Sequence, residues 1–273
     1  DQEPHTVEPK ARRNEVRSFV EGGLEDLSIS RTTFDWGIPM PDDPEHVLYV
    51  WVDALTNYIS GVGGFDDAGN TGPFWPADVH LIGKDILRFH AVYWPAFLMS
   101  AGVEPPREVF AHGWWMVEGE KMSKSKGNWL DAFDLAEQFD LDLLRYFLMR
   151  EIPLGSDGNF DRKRLVERNN SELADNIGNL VNRVTKMTQG FIDGTTPAFS
   201  KTNEKHDVAV REASESAVEA VRDAMDARET HTALEEVTKL AKELNNYVQQ
   251  TQPWKANKEG DAKRVQDILY HSL

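Results

Sequence analysis

Lysines and serines alternate in one short segment that is bounded by glycines. It runs from Gly119 to Asn128 and reads GEKMSKSKGN. Flanking glycines favour a loop that can move, and ammonium groups with hydroxyls between them could bind a polyphosphate. Such groups could stabilise a leaving pyrophosphate as negative charge develops on it. On composition alone, a solvated charged turn is the commoner explanation of a run of lysines.

The chain ahead of this loop is expected to hold it at one edge of a parallel sheet. Val47–Val52, Val79–Gly83 and Val109–Gly113 are short apolar runs, typical of strands buried on both faces of such a sheet. Helices are predicted within 10–31, from Asp53 through Tyr58, and from Asp85 to Gly102 with a kink at Pro95. Trp114–Gly119 is expected to form a hairpin arm. Strands that alternate with helices place ligands at the carboxyl ends of the strands.

After Asp131 the pattern becomes one of long amphipathic helices. They are predicted over residues 133–149, 161–192, 206–230 and 231–250. The fold class expected is therefore α/β followed by an all-α domain, with the boundary at 158/159. The net charge of −16 argues against nucleic acid, but residues 160–273 hold 17 Lys and Arg against 19 Asp and Glu. The helical part could therefore present a local basic face to RNA.

Composition narrows the setting further. The chain of 273 residues contains no cysteine, which fits a reducing cytoplasm and removes disulfides and thiolate metal sites. No apolar run approaches the length of a membrane span, so a membrane partner is not expected. His80, His90 and His112 lack the tight spacing of metal ligands, and no protein-bound metal is predicted.

The literal string Lys121-Met122-Ser123-Lys124-Ser125 resembles the signature loop of class I aminoacyl-tRNA synthetases. The resemblance implies a Rossmann-like catalytic domain, of which residues 32–158 would be the C-terminal half. It also implies that Lys124 contacts ATP and that Lys121 stabilises the transition state of adenylate formation. Ser123 and Ser125 are expected to assist in binding ATP, which would arrive with Mg²⁺.

Three further segments resemble methionyl-tRNA synthetases in particular. They are YVWVDALTNY at 49–58, HLIGKDILRFH at 80–90 and HGWW at 112–115. The similarity implies a methionine pocket formed by Trp51, Tyr58, Asp85, His90 and Tyr93. It also implies an ATP site that includes Gly83, Lys84, Asp85, His112 and Gly113. A leucyl- or cysteinyl-type synthetase is the alternative within the superfamily, and core packing is the simplest explanation of a single Trp51 or His90.

The helices from 159 to 273 resemble the anticodon-binding domain of the same family. RNA loops are read by stacking bases on aromatic rings and by hydrogen bonds to base edges. The resemblance implies that Trp254 stacks on the methionine anticodon, and that Asn182 and Arg183 reach base edges. Without the family, a tryptophan that ends a helix in the core would explain Trp254 equally well.

Part of the family pattern is missing from this chain. A class I synthetase also has a HIGH-type motif at the start of its fold, and no His-x-Gly-His occurs here. Residues 1–31 resemble only the exit of a connective insertion whose zinc-binding part is absent, so zinc is not expected. We therefore expect a fragment that needs the upstream half of the same enzyme for catalysis. The alternative from another functional class is a non-catalytic module that binds tRNA.

Overall fold

The computed structural model describes residues 6–66, 69–123, 125, 127–198 and 200–273. They fall into two compact units, Asp1–Trp114 and Trp115–Leu273. In chain order, the first unit contains β1 (Thr6–Glu8), α1 (Lys10–Glu21), β2 (Ser30–Arg31), β3 (Pro39–Met40), β4 (Asp43–Leu48), α2 (Val50–Gly61), β5 (His80–Gly83), α3 (Trp94–Ser100) and β6 (Glu108–His112).

A parallel sheet in the order β1–β6–β5 lies at the centre of the first unit. Its apolar side chains, among them Ile82, Val109 and Ala111, pack against Val16 of α1 and against Leu87. The predicted strands at 79–83 and 109–113 are thus confirmed, and so is their parallel pairing. Gly83 and His112 are partners at the carboxyl ends of their strands, the edge where α/β folds bind ligands.

The predicted strand at Val47–Val52 is wrong. β4 ends at Leu48 and pairs antiparallel with β2 and β3 in a separate sheet, while α2 begins at Val50. A continuous apolar run fits a buried strand and a buried helical turn equally well. The segment from Val50 forms a helix because Leu55 and Ile59 continue the apolar positions at helical spacing and are buried.

The helix predicted from Asp85 to Gly102 forms as three different kinds of helix. A 3₁₀ turn covers Lys84–Ile86, a π-helical turn covers Phe89–Tyr93, and α3 follows. Pro95 lies in the first turn of α3, where its missing N–H costs no hydrogen bond. The change of helix type decides which side chains face the functional site.

The second unit is mostly helical. In chain order it contains β7 (Trp115–Val117), β8 (Glu120–Lys121), α4 (Ala132–Gln138), α5 (Leu141–Arg150), β9 (Gly158–Asn159), α6 (Arg162–Arg168), α7 (Asn179–Ile192), α8 (Lys205–Asp226), α9 (Thr230–Thr251), α10 (Pro253–Glu259) and α11 (Ala262–Ser272). A π-helical stretch, Asn169–Gly178, joins α6 to α7. The carboxylates of Asp131, Asp140 and Asp161 accept hydrogen bonds from first-turn amides of α4, α5 and α6. Within the described ranges, none of the helices has the length and apolar character needed to cross a membrane.

The segment ahead of the predicted boundary at 158/159 packs with the helix behind it. Phe147 of α5 and Leu165 of α6 are fully buried in one core cluster, and β9 pairs with β7. By contacts, the chain therefore divides at 114/115 instead. The expected functional division into residues 1–31, 32–158 and 159–273 stays a prediction.

Candidate functional site

A hydrogen-bonded pair, Tyr58 and His90, occupies the centre of an aromatic cluster in the first unit. The His90 Nδ1 atom lies 3.0 Å from the carbonyl oxygen of Ile86. That oxygen can only accept, so Nδ1 carries the proton and Nε2 accepts from the Tyr58 hydroxyl at 2.9 Å. Burial lowers the pKa of His90 and raises the pKa of Tyr58. Both side chains are therefore neutral at physiological pH.

Further aromatic side chains surround this pair. Trp51 stacks on Phe89 with ring centroids 3.8 Å apart, and the rings of Tyr58 and His80 are 4.3 Å apart. The Trp94 indole N–H donates to Nε2 of His80 at 3.2 Å. Burial, and then the neighbouring His90, lower the pKa of His80 to about 4. A cavity of about 280 Å³ opens beside Tyr58 and His80. We call the uncharged rings of Trp51, Tyr58, His80, His90 and Trp94 the neutral aromatic wall. This wall therefore has free space next to it.

The structure brings Trp94 rather than Tyr93 next to Tyr58. The Trp94 ring lies 6.3 Å from that of Tyr58, whereas Tyr93 packs on Phe89 and against the core of the parallel sheet. Sequence reasoning missed Trp94 and Phe89 because it assumed α-helical periodicity. In a π-helical turn the backbone bonds run from i to i+5, which shifts every later side chain around the axis.

A second cluster lies at the carboxyl ends of β5 and β6. The Trp114 indole N–H donates to the Asp85 Oδ1 atom at 3.1 Å, and the Lys84 ammonium lies 4.0 Å from the centre of the Trp114 ring. A Cβ on Gly83 would stand 2.8 Å from the same Asp85 oxygen, so a larger residue at position 83 would displace this carboxylate. Gly83, Lys84 and Asp85 thus lie together at the end of β5, and their role in binding substrates stays a prediction.

His112 and Gly113 complete the predicted nucleotide site at the same strand ends. The Nδ1 atom of His112 donates to the Gly113 carbonyl oxygen at 2.8 Å, because a carbonyl can only accept. The imidazole is therefore held beside its own backbone at the end of β6. Their predicted role in binding ATP remains a prediction.

The lysine–serine loop belongs to the second unit and follows a tight hairpin. β7 pairs antiparallel with β8, and the turn residues Glu118 and Gly119 both have positive φ, 53° and 79°. The Gly119 N–H donates to the side-chain oxygen of Asn159 at 2.8 Å. The predicted hairpin arm is thus confirmed, and it carries Lys121 on β8.

Asn128, near the end of this loop, forms hydrogen bonds with the backbone at its start. Its Oδ1 atom accepts from the Ser123 N–H at 2.8 Å, and its amide nitrogen donates to the Lys121 carbonyl oxygen at 3.3 Å. The hydroxyls of Ser123 and Ser125 are 2.8 Å apart. Lys124 lies outside the described residues. Sequence reasoning gave no role to Asn128, although an amide just after Gly127, which has positive φ, is a frequent turn signal.

A polar groove of about 750 Å³ runs between the helical stretch of residues 169–192 and α9. Arg183 lines it and donates to the side-chain oxygen of Asn245 at 3.5 Å. Asn179, four residues earlier on the same helix face, also lines it. Asn182 is exposed outside the lining. Trp254 lies in the first turn of α10, with 40% of its surface exposed.

Metal ligands are not grouped in the part of the chain that the structure describes. Among those residues, no three or more His, Asp or Glu side chains are arranged to hold an ion. His80 and His90 instead serve as neutral hydrogen-bond partners of Trp94 and Tyr58.

Known protein families and curated proteins resemble this chain in sequence. Residues 2–185 match the family model described as tRNA synthetases class I (M). The chain is 50% identical over 270 residues to the methionine–tRNA ligase of Brucella suis, covering 98% of this chain and 52% of that protein. It is 48% identical over 274 residues to the methionine–tRNA ligase of Mycobacterium leprae, covering 99% of this chain and 51% of that one.

A solved structure also resembles this chain, both in fold and in sequence. Mycobacterium tuberculosis methionyl-tRNA synthetase in complex with methionyl-adenylate superimposes with a TM-score of 0.91 and 48% sequence identity, covering 98% of this chain and 53% of that chain. The chain thus spans about half the length of the curated relatives it matches. It belongs to the tRNA synthetases class I (M) family, the methionyl-tRNA synthetases.

Proposed function

We propose that this chain is part of a methionine–tRNA ligase, which activates methionine with ATP and transfers it to methionine tRNA. The carrying observation is the neutral aromatic wall around Tyr58 and His90, in a chain that aligns over 98% of its length with a synthetase solved with methionyl-adenylate. The relatives are about twice as long. We therefore propose that an upstream half is required for catalysis.

The aromatic wall suits the methionine side chain. A thioether is polarizable and makes favourable contacts with aromatic rings, and Trp51, Tyr58 and Trp94 supply such rings. His90 stays neutral because burial lowers its pKa, so no charge competes with the apolar substrate. We propose that Tyr93 contributes to the methionine pocket through its packing on Phe89. Asp85, just after β5, stays a proposed contact of the substrate.

In the first reaction step the methionine carboxylate attacks the α-phosphorus of ATP, and pyrophosphate leaves. The protein would contribute positioning and charge rather than a covalent intermediate. Lys121 and Lys124 would stabilise the charge on the phosphates, with Ser123 and Ser125 as hydroxyl donors. Asn128 would hold the loop's backbone through its bonds to Ser123 and Lys121.

The nucleotide would lie against the strand ends formed by Gly83, Lys84, Asp85, His112 and Gly113. Mg²⁺ would arrive with ATP as part of the substrate, because polyphosphates carry it in this way. The described residues offer no ligand set of their own for it. Zinc is not part of the proposal.

The helical part would bind the anticodon of methionine tRNA. Trp254 presents an exposed ring for stacking. Arg183 and Asn179 share the polar groove, where amides and guanidinium groups can reach base edges. Asn182 lies on the exposed surface next to them and stays a proposed contact. We also propose a cytoplasmic location, since a chain without cysteine suits a reducing compartment.

Two other functions are not favoured. A leucyl- or cysteinyl-type synthetase disagrees with relatives that are methionine–tRNA ligases at about half identity. A purely non-catalytic tRNA-binding fragment would not require the neutral aromatic cluster in which Tyr58 bonds to His90 and Trp94 bonds to His80.

ATP–pyrophosphate exchange tests the proposed function. We define the reconstituted enzyme as this chain together with the upstream half. It should exchange pyrophosphate with methionine and not with leucine or cysteine, whereas the chain alone should be inactive. The absence of exchange from a folded reconstituted enzyme would refute the catalytic proposal. Exchange that prefers leucine would refute the assignment of methionine.

In the reconstituted enzyme, replacing Trp254 with alanine should weaken charging of methionine tRNA and preserve ATP–pyrophosphate exchange. The loss of one stacked base costs about 1–3 kcal/mol, or roughly five- to 150-fold in kcat/KM for tRNA. Exchange should be preserved because the Trp254 ring would contact RNA and not the amino-acid substrate. Trp36→Ala, at another exposed tryptophan, is the control and should leave both reactions unchanged. Loss of exchange along with charging would mean that Trp254 is structural.

A further inference from the structure

We infer that the upstream half of the enzyme docks on the outer edge of β5, where it fills the cavity beside His80 with an apolar side chain and accepts a hydrogen bond from this histidine. The inference rests on the proposed function, which requires an upstream half, and it identifies the surface that receives that half. Of the rings proposed to contact methionine, Tyr58 lines the cavity of about 280 Å³, but Trp51 and Trp94 do not.

β5 is an edge strand in the part of the chain that the structure describes, since its sheet has the order β1–β6–β5. Parallel sheets are normally buried on both faces, and an edge strand presents unpaired N–H and C=O groups. Leu81 in β5 has 60% of its surface exposed, whereas its neighbours His80 and Ile82 are buried. One face of β5 and its outer edge therefore lack the cover that a parallel sheet normally has.

The cavity lies along this outer edge. Both His80 and Leu81 line it, and consecutive side chains of a strand point to opposite faces. A cavity that touches both must therefore extend past the edge of the strand. Phe74, which is 77% exposed, also lines it. None of the lining residues is an acid, a lysine or an arginine, so the cavity favours an apolar occupant over an ion or a phosphate.

His80 offers this occupant one polar contact. Its side chain is buried, with 5% of its surface exposed, and its Nε2 atom accepts from the Trp94 indole N–H at 3.2 Å. Burial lowers the pKa of His80 to about 4, so the ring is neutral and carries its proton on Nδ1. Among the described residues, no acceptor is within reach of that N–H. A buried donor without an acceptor costs free energy, so we expect the occupant to supply one.

The lengths of related proteins favour the upstream half as the occupant. The match to the Brucella suis ligase covers 98% of this chain but only 52% of that protein, so nearly half of such a relative lies outside this chain. A segment of the same enzyme is held near the edge of β5 at a high effective concentration, whereas a second copy must arrive by diffusion. One segment can provide both an apolar side chain and a backbone carbonyl for His80.

The absence of cysteine from the chain allows a direct test of this surface. Leu81→Cys places a single thiol at the cavity, and alkylation by iodoacetamide depends on exposure of the thiol. Adding the upstream half should slow this alkylation at least about tenfold, as measured by mass spectrometry of this chain. Met99→Cys is the control, because Met99 is 68% exposed on α3 and does not line the cavity. Its alkylation rate should not change.

His80→Gln tests the hydrogen bond. The glutamine amide oxygen can replace Nε2 as the acceptor for Trp94, but glutamine has no donor at the position of Nδ1. The dissociation constant of the two halves, measured by isothermal titration calorimetry, should rise about fivefold, the usual effect of losing one hydrogen bond. His80→Asn, whose amide can donate from near the position of Nδ1, should bind the upstream half more tightly than His80→Gln. An unchanged dissociation constant in His80→Gln would refute the hydrogen bond.

The proposed function and this inference fail separately. If the two halves neither associate nor exchange pyrophosphate, the proposed function is wrong. If the reconstituted enzyme is active but Leu81→Cys is alkylated as fast as in this chain alone, only the inference is wrong. Protection that appears on concentrating this chain alone would assign the edge to a second copy. Protection that requires methionine would assign it to the substrate, and either result would refute the inference.

Discussion

Lys124→Ala is expected to reduce ATP–pyrophosphate exchange in the reconstituted enzyme by at least about a hundredfold. Removing one preorganised donor from a site where charge develops typically costs about 3–4 kcal/mol, or 10²–10³ in rate. The family resemblance assigns Lys124 to ATP itself, so its loss should raise the KM for ATP and lower kcat. Lys121→Ala should lower kcat with little change in the KM for ATP, because Lys121 is assigned to the transition state.

Lys126 provides the matched control for this experiment. It has the same charge and stands two residues away in the same loop, but no role is assigned to it. Lys126→Ala should therefore retain most of the exchange activity. Equal losses for Lys124→Ala and Lys126→Ala would mean that the loop acts only as diffuse positive charge. Unchanged exchange in Lys124→Ala would contradict the role proposed for that residue.

The parallel strands and the hairpin could be predicted from sequence because their signals are local. Ile82 and Ala111 belong to apolar runs of strand length, and both are buried in the sheet. Glycine marks the hairpin turn at Gly119, which has positive φ. Each of these features depends on residues within a few positions of one another, so no tertiary information was needed.

The aromatic site could be predicted only in part because one turn departs from α-helical spacing. Trp51 and Tyr58 come from the regular helix α2, and both lie in the cluster as expected. The π-helical turn ahead of α3 then brings Trp94 to Tyr58. A π-helical turn is rare, and the α-helical periodicity of a segment does not predict where one occurs.

The groove illustrates a different limit. Asn182 and Arg183 are adjacent in sequence, and adjacent residues on a helix point in different directions. Asn179 and Arg183 are four apart and line the groove together. Whether Asn179 or Asn182 lines the groove depends on the helix phase, which the residues around Arg183 do not specify.

Asp207 is a buried carboxylate that the sequence pattern did not predict. It stands in the first turn of α8, where an acidic residue normally interacts with the helix dipole in solvent. Its side chain is instead fully buried. It accepts hydrogen bonds from Tyr247 of α9 at 2.7 Å and from the Arg264 Nη2 atom of α11 at 2.9 Å. One carboxylate thus joins three helices of the bundle.

The charge state of Asp207 gives its contribution to stability a defined pH dependence. Burial would raise the pKa of this carboxyl, but hydrogen bonds from Arg264, Thr202 and Tyr247 outweigh burial and lower the pKa to about 2. An unfolded aspartate has a pKa of about 3.9. The stabilisation is therefore complete above about pH 4 and is lost as the pH falls toward about 2, because the unfolded state then binds more protons.

Asp207→Ala is expected to lower the free energy of unfolding of the helical unit by about 3–5 kcal/mol at pH 7. Breaking a buried ion pair from one side leaves the other charge without compensation, and here the Arg264 guanidinium and the Tyr247 hydroxyl would both lose their acceptor. Urea unfolding followed by far-UV circular dichroism measures the loss. Hydrogen exchange should show that the amides of α11 lose protection first, since Arg264 anchors that helix.

Asp223→Ala is the control for this substitution, because Asp223 is an exposed aspartate on the same helix. It removes the same charge from α8 without touching the buried carboxylate, and it should leave the free energy of unfolding nearly unchanged. The difference between the two variants should also shrink below about pH 4, as Asp207 becomes protonated in the unfolded state. Equal unfolding midpoints for the two variants at pH 7 would show that the buried network does not stabilise the bundle. A difference independent of pH down to about 2 would trace the loss to the cavity left by the side chain, and not to its charge.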